Sequence, residues 1–145
     1  MKLLKDNVSV ITGSNNGIGL SILSKFSENS SKIFACYRNM NDNFEKTIKF
    51  LSEKNKVEIY PIKLDLEDEN SIKNACIEIE NNSTTIDNLI NNAGIIENGI
   101  FQMTSGKNLK KILEVNFINT FLFTQRIVKK IIKNDLFIAV KGYKS

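Results

Sequence analysis

The sequence predicts an α/β fold built on a doubly wound parallel sheet, and two observations lead to it. Short apolar runs alternate with longer amphipathic stretches along the 145 residues. The first run passes directly into a glycine-rich turn, which opens an amphipathic stretch. Alternating strands and helices of this length form right-handed βαβ units, whose parallel strands are covered by helices on both faces.

The first predicted strand, residues 8–11, ends in the most informative motif of the chain, Thr-Gly-Ser-Asn-Asn-Gly-Ile-Gly. Glycine tolerates a positive φ and lets the backbone approach a phosphate, while the amides and dipole of the following helix attract the anion. The motif predicts a pyrophosphate-binding turn, and a tight turn without a ligand is the alternative. The predicted binding residues are Gly13, Ser14, Asn15, Asn16, Gly17, Ile18 and Gly19.

The second predicted strand, residues 32–37, ends where dinucleotide folds choose between cofactors. An acidic residue at this strand end accepts hydrogen bonds from the ribose hydroxyls, whereas a nearby arginine accommodates a 2′-phosphate. Tyr37 occupies the acidic position and Arg38 follows it. The pair therefore predicts NADP(H) as the cofactor, with NAD(H) still possible. The alternative is that Arg38 is a solvated loop charge.

Four motifs in chain order resemble the short-chain dehydrogenase/reductase family in its shorter form. The glycine spacing is Gly-x-x-x-Gly-x-Gly after Thr12, Asp65-Leu66 follows a predicted third strand at residues 57–64, residues 91–94 read Asn-Asn-Ala-Gly, and Val115-Asn116 falls in a predicted helix. The resemblance covers residue 8 to about residue 133. It implies a Rossmann-type sheet of about four to five strands in the order 3-2-1-4, with the nucleotide above the switch between strands one and four.

The resemblance also implies roles for single residues. Asp65 and Leu66 would lie beside the adenine ring, although a strand-end or helix-capping role would also explain Asp65. Asn91 would brace the central sheet. Asn92, Ala93 and Gly94 would line the cofactor near the nicotinamide ribose. At position 16, NADP-preferring relatives often carry Arg or Lys instead of the asparagine found here.

Asn116 is the predicted catalytic residue, because in the family this asparagine holds a water that joins the proton relay. The sequence predicts one helix over residues 107–133, with an apolar face that includes Asn116. A buried amide must find hydrogen bonds or cost about 1–3 kcal/mol. The alternative is an asparagine that pins the helix to a neighbouring backbone. The predicted face consists of Leu109, Ile112, Leu113, Asn116, Phe123 and Ile127.

The catalytic Ser and the Tyr-x-x-x-Lys pair of the family follow a fifth strand, which residues 136–140 could form. Tyr143, Lys144 and Ser145 supply the residue types without that spacing. We therefore expect one NAD(P)-binding domain over residues 1–145, truncated relative to the family and inactive alone. Its full-length form would transfer hydride to or from a carbonyl or alcohol. The alternatives are a non-catalytic or vestigial dinucleotide-binding fragment, or a site completed by a separately encoded chain.

Composition excludes several other functions. There is no histidine, and Cys36 and Cys76 are isolated, which argues against a metal site and a disulfide framework and favours a reducing cytoplasm. The net charge of +4 is spread along the chain, so we expect no nucleic-acid partner. No apolar run of the length that a membrane span needs occurs. The expected partners are a dinucleotide and a small carbonyl or alcohol substrate, with homo-oligomerisation left open.

Overall fold

Five strands form one parallel sheet in the computed structural model, which describes residues 7–30, 32–96, 102, 104–131 and 139–141. The order β3-β2-β1-β4-β5 confirms the predicted order 3-2-1-4 and places a further strand beside β4, so that β4 is not an edge. The strands are β1 Val8–Ile11, β2 Lys32–Tyr37, β3 Glu58–Lys63, β4 Asn88–Asn91 and β5 Ala139–Lys141.

The strand positions follow from which faces are covered. The inner strands β1 and β2 are nearly continuous apolar runs because helices cover both of their faces. β3 is an edge of the described sheet, where Glu58, Pro61 and Lys63 are exposed and a proline is tolerated. It is one residue shorter at each end than the predicted strand at residues 57–64.

Helices cover both faces of the sheet, as the doubly wound prediction requires. Helices α1 and α2 pack on one face around Leu23 and Phe44, and α3 and α5 pack on the other around Ile79 and Phe123. The Asn41 side chain caps α2 through the amide of Phe44 at 2.8 Å. The helices are α1 Gly17–Ser27, α2 Asp42–Asn55, α3 Glu69–Asn82, α4 Gly106–Leu113 and α5 Thr120–Ile131.

The predicted helix over residues 107–133 is helical throughout its described part, residues 107–131, but its periodicity is not regular. A π-helical segment, Glu114–Asn119, separates α4 from α5, and the Thr120 hydroxyl donates to the carbonyl of Val115 five residues earlier, at 2.8 Å. The wider turn shifts the helical phase. Val115, Asn119, Phe123 and Ile127 are buried, whereas Leu109 and Leu113 of the predicted apolar face are exposed.

Several predicted features fall outside the described residues. They are the terminal Tyr143, Lys144 and Ser145, the first part of the run at residues 136–140, and residues 132–133 at the end of the predicted long helix. Within the ranges that the structure describes, no helix is long and apolar enough to cross a membrane.

Candidate functional site

A cleft of about 540 Å³ lies at the carboxyl ends of strands β1 to β4. Its position is the switch point of the sheet, since β1 has β2 on one side and β4 on the other. Open α/β sheets bind ligands in this crevice. The predicted site residues that line the cleft are Gly13, Asn15, Asn16, Ile18, Gly19, Arg38, Asp65, Leu66, Asn92, Ala93, Gly94 and Asn116.

The turn between β1 and α1 has the backbone geometry that an anion site needs. Gly13 and Gly17 have φ of 66° and 49°, in the left-handed region that favours glycine. Among the described residues, no side chain caps α1 at Asn16, and its first turn carries no acidic residue. The amides at this helix end are therefore available to an anionic ligand.

Gly19 is required for a different reason, the close approach of α1 to the turn. A Cβ atom at this position would lie 2.0 Å from the carbonyl oxygen of Gly13 and 2.5 Å from Nδ2 of Asn92. No side chain fits at such distances without moving backbone. The third glycine of the motif thus lets the helix start directly behind the turn.

Thr12 and Asn92 join the glycine turn to the end of β4. The Thr12 hydroxyl oxygen accepts from the amides of Asn92 at 3.0 Å and Ala93 at 2.9 Å. In return, Nδ2 of Asn92 donates to the carbonyls of Thr12 at 3.1 Å and Gly13 at 3.2 Å. These four bonds join the two principal motifs of the sequence at the carboxyl ends of β1 and β4.

Ser14 and Gly17 are the two predicted binding residues that do not belong to the described lining of the cleft. Ser14 is buried, and both its amide and its hydroxyl donate to the carbonyl of Cys36 at 2.9 Å. It therefore braces the turn against β2. Asn15 holds the turn to the loop after β2, because its Nδ2 donates to the carbonyl of Asn39 at 3.2 Å.

Three charged side chains meet on the side of the cleft where β2 and β3 end. Glu67 accepts from Arg38 at 3.4 Å through one carboxylate oxygen, and its other oxygen lies 2.9 Å from Nζ of Lys111 on α4. Arg38 and Glu67 both line the cleft. Lys111 belongs to α4, so the three residues connect three separate segments of the chain.

Asp65 is part of a turn and is not the cap of α3. Its Oδ1 accepts from the amide of Glu67 at 2.9 Å, and its own amide donates to the hydroxyl of Ser71 at 2.9 Å. The cap is Asp68, which accepts from the amide of Asn70 at 2.9 Å. The carboxylate of Asp65 is thus fixed at the border of the cleft.

Asn116 holds the loop after β4. Its Oδ1 accepts from the amide of Ile95 at 2.8 Å, and its Nδ2 donates to the carbonyl of the same residue at 2.7 Å. This is the pinning of helix to backbone that the sequence offered as an alternative for this residue. Nearby, Nδ2 of Asn91 donates to the hydroxyl of Thr124 at 2.8 Å and links β4 to α5.

Sequence reasoning missed part of the lining. Most of the missed residues are direct neighbours of predicted ones, and that adjacency was the available signal. Asn119 is a further miss: it is buried, and its Nδ2 donates to the carbonyl of Leu66 at 2.6 Å. No regular helical period indicates it. The missed lining residues are Asn39, Leu64, Glu67, Ile95, Ile96 and Val115.

Curated proteins resemble this chain in sequence over most of its length. A curated relative, the 3-oxoacyl-(acyl-carrier-protein) reductase FabG of Aquifex aeolicus, is 33% identical over 130 residues, which cover 90% of this chain and 52% of the relative. A FabG of Buchnera aphidicola subsp. Schizaphis graminum is 29% identical over 92% of this chain and 52% of its own length. The chain thus spans about half the length of the curated relatives it matches.

Solved structures share the fold. The L-sorbose reductase of Gluconobacter frateurii, in complex with NADPH and L-sorbose, superposes with a TM-score of 0.82 at 23% identity, over 90% of this chain and 50% of that one. The family model described as short chain dehydrogenase matches residues 7–136. With the glycine turn, the Asn-Asn-Ala-Gly motif and the sheet order all in place, this match shows that the chain belongs to the short chain dehydrogenase family.

Proposed function

We propose that this chain forms the cofactor-binding part of an oxidoreductase and holds a nicotinamide dinucleotide in the cleft. The observation that carries the proposal is the uncapped start of α1 behind a turn in which Gly13 and Gly17 have positive φ. Such a helix end suits a pyrophosphate. A bound nicotinamide would supply or accept the hydride that interconverts a carbonyl and an alcohol.

The residues of the cleft fit this group. A Cβ atom on Gly13 would lie 3.0 Å from Cα of Ala93, so glycine lets the turn pack closely against the end of β4. The uncapped start of α1 and the end of β4 therefore border the same cleft. The proposed adenine contact is Asp65, whose carboxylate is fixed in a turn that lines the cleft.

We propose NADP(H) as the preferred cofactor because Arg38 lines the cleft at the end of β2 and Tyr37 stands where a carboxylate would repel a 2′-phosphate. The L-sorbose reductase with a similar fold carries NADPH, which supports the choice. The proposed role of Asn116 is at the reacting end of the cofactor, where it keeps the loop at Ile95 and the π-helical segment together.

A second candidate function is dinucleotide binding without catalysis. It is favoured by the sequence itself, because no Tyr-x-x-x-Lys occurs among the 145 residues. In both cases we propose residues 1–145 as one dinucleotide-binding domain. The carbonyl or alcohol substrate is assigned only to a form that contains the tyrosine and lysine. Two free, buried cysteines, Cys36 and Cys76, support a reducing compartment such as the cytoplasm.

We propose that the chain self-associates as a homo-oligomer. Six large apolar side chains on α4, the π-helical segment and the start of α5 are exposed, and we name this set the apolar helix face. Exposed apolar surface is typical of protein–protein contacts. The apolar helix face consists of Leu109, Leu113, Phe117, Ile118, Phe121 and Leu122.

Calorimetric titration with NADPH and NADH tests the binding proposal directly. We expect saturable binding of both, with the lower Kd for NADPH. Binding of neither nucleotide by a chain whose circular dichroism shows a folded α/β protein would overturn the proposal. Equal Kd values for the two nucleotides would overturn only the proposed preference for NADP(H), not the proposed binding.

A further inference from the structure

Glu67 lies between two cations that come from separate segments of the chain. Its carboxylate is 3.4 Å from the guanidinium of Arg38, which follows β2, and 2.9 Å from Nζ of Lys111 on α4. Arg38 and Glu67 line the same cleft. The cation that is proposed to receive a 2′-phosphate therefore already has a counter-ion.

This arrangement makes phosphate binding an exchange of anions. A 2′-phosphate must take the place of the Glu67 carboxylate beside Arg38, or share the guanidinium with it against like-charge repulsion. Lys111 lowers the cost of that exchange, because its shorter contact leaves Glu67 with a partner after Arg38 is released. A cofactor without the phosphate requires no exchange.

We propose that Glu67 is a specificity-determining residue, which weakens the binding of a 2′-phosphorylated dinucleotide by competing for Arg38, and that Lys111 opposes it by drawing the carboxylate away. The inference rests on the proposed binding of NADP(H). It adds that the preference is set by three residues, of which only Arg38 lies at the position that the cofactor motif indicates.

The expected change in the Kd for NADPH follows from the solvent exposure of the three charged side chains. The side chains of Arg38 and Lys111 are 53% exposed and that of Glu67 is 35% exposed. Ion pairs in such surroundings are worth little and are screened by salt. Each substitution should therefore change the Kd for NADPH by a factor of about two to five at low salt, and by less at high salt.

The experiment measures Kd for NADPH and NADH in variants of the full chain. Glu67→Gln should tighten NADPH binding about threefold, and Lys111→Gln should weaken it about threefold, with NADH unchanged in both. Both effects should vanish in an Arg38→Ala background. Glu69→Gln is the matched control, since it removes the same charge two residues away, where the described residues show no ion pair.

The outcomes separate this inference from the function on which it rests. If Arg38→Ala leaves the ratio of the two Kd values unchanged, both the NADP(H) preference and the role of Glu67 are overturned. If Arg38→Ala lowers the preference while Glu67→Gln behaves like Glu69→Gln, only the inference fails. Weaker NADH binding in Glu67→Gln also overturns the inference, because the Glu67 carboxylate would then bind the ribose of both cofactors. Unchanged NADH binding in each variant reports that the fold is intact.

Discussion

Asn116 binds the backbone of Ile95 through both ends of its amide, accepting from the N–H at 2.8 Å and donating to the C=O at 2.7 Å. The side chain thus pairs with the loop after β4 as a neighbouring strand would. It comes from a π-helical segment, a distortion that is frequent at functional sites. The contact joins the helix to the loop that lines the nicotinamide end of the proposed site.

Replacing Asn116 with Ala should destabilise the fold, because it removes two hydrogen bonds and leaves partly buried backbone groups unpaired. We expect the free energy of unfolding in urea to fall by about 1–3 kcal/mol. Asn74→Ala, on the exposed side of α3, is the matched control and should change it by less than about 0.5 kcal/mol. Equal stability of the two variants would contradict the role of the pairing.

Gly17→Val should abolish binding of NADPH and NADH alike. Gly17 has a φ of 49° at the start of α1, so a β-branched side chain is strained there and also obstructs the approach of a pyrophosphate. Gly106→Val is the control, since Gly106 also begins a helix and a Cβ there would meet nothing within 4 Å in the described structure. Calorimetric titration measures the NADPH affinity of both variants. Unchanged NADPH affinity in a folded Gly17→Val variant would show that the glycine turn is not the binding site.

The strands near the motifs could be predicted from the sequence almost to the residue. β1 and β2 match the predicted residues 8–11 and 32–37, because inner strands of a parallel sheet are short apolar runs with clear ends. The edge strand β3 is less distinct, since half of its residues face solvent. The glycine turn and the Asn-Asn-Ala-Gly motif could be predicted as well, because each directly follows a short apolar inner strand.

The helical part of the site could not be predicted in the same way. A periodicity of 3.6 residues places Leu109, Leu113 and Asn116 on one buried face, but the π-helical segment inserts an extra residue in the turn and buries Asn119 instead. The contact between Glu67 and Lys111 joins residues far apart in the chain. Neither residue belongs to a local motif, so only the fold brings them together.

Self-association through the apolar helix face should weaken when its aromatic residues become polar. Phe121 is 58% exposed on α5, and Phe50 on α2 is exposed to the same degree outside that face. We expect Phe121→Ser to shift sedimentation velocity profiles toward the monomer. The control variant Phe50→Ser should have the same oligomeric state as the unmodified chain. A chain that is monomeric at high micromolar concentration, or equal effects of both variants, would argue against this interface.

The two thiols should be protected in the folded protein. Burial raises the pKa of Cys36 far above its usual range, and burial raises the pKa of Cys76 to about 11 although Arg126 opposes it. A raised thiol pKa favours the neutral form in the fold, so as the pH rises the thiols of the unfolded chain lose their protons first, near the ordinary thiol pKa of 9.0. Stability contributed by the thiols should thus decline as the pH rises from about 9 to 11.

Two measurements check this. Alkylation of Cys36 and Cys76 at pH 8 should be slow in buffer and fast in urea. The double variant Cys36→Ala and Cys76→Ala should lose less stability between pH 9 and pH 11 than the unmodified chain, which controls for the titration of lysines and tyrosines. Rapid labelling without denaturant would show that the sheet core opens locally.

The isolated 145-residue chain should bind NADPH without turning over aldehydes or ketones. Reduction of a carbonyl requires a proton at oxygen as hydride reaches carbon, and a tyrosine supplies it only when a nearby cation lowers its pKa. Tyr143 and Lys144 are adjacent in the sequence and do not have the Tyr-x-x-x-Lys spacing that the family resemblance implies. Oxidation of NADPH at 340 nm over a broad carbonyl panel measures the rate. Robust turnover by the mass-verified chain, lost in Tyr143→Phe, would show that these terminal residues form an active site and would overturn the proposal of binding without catalysis.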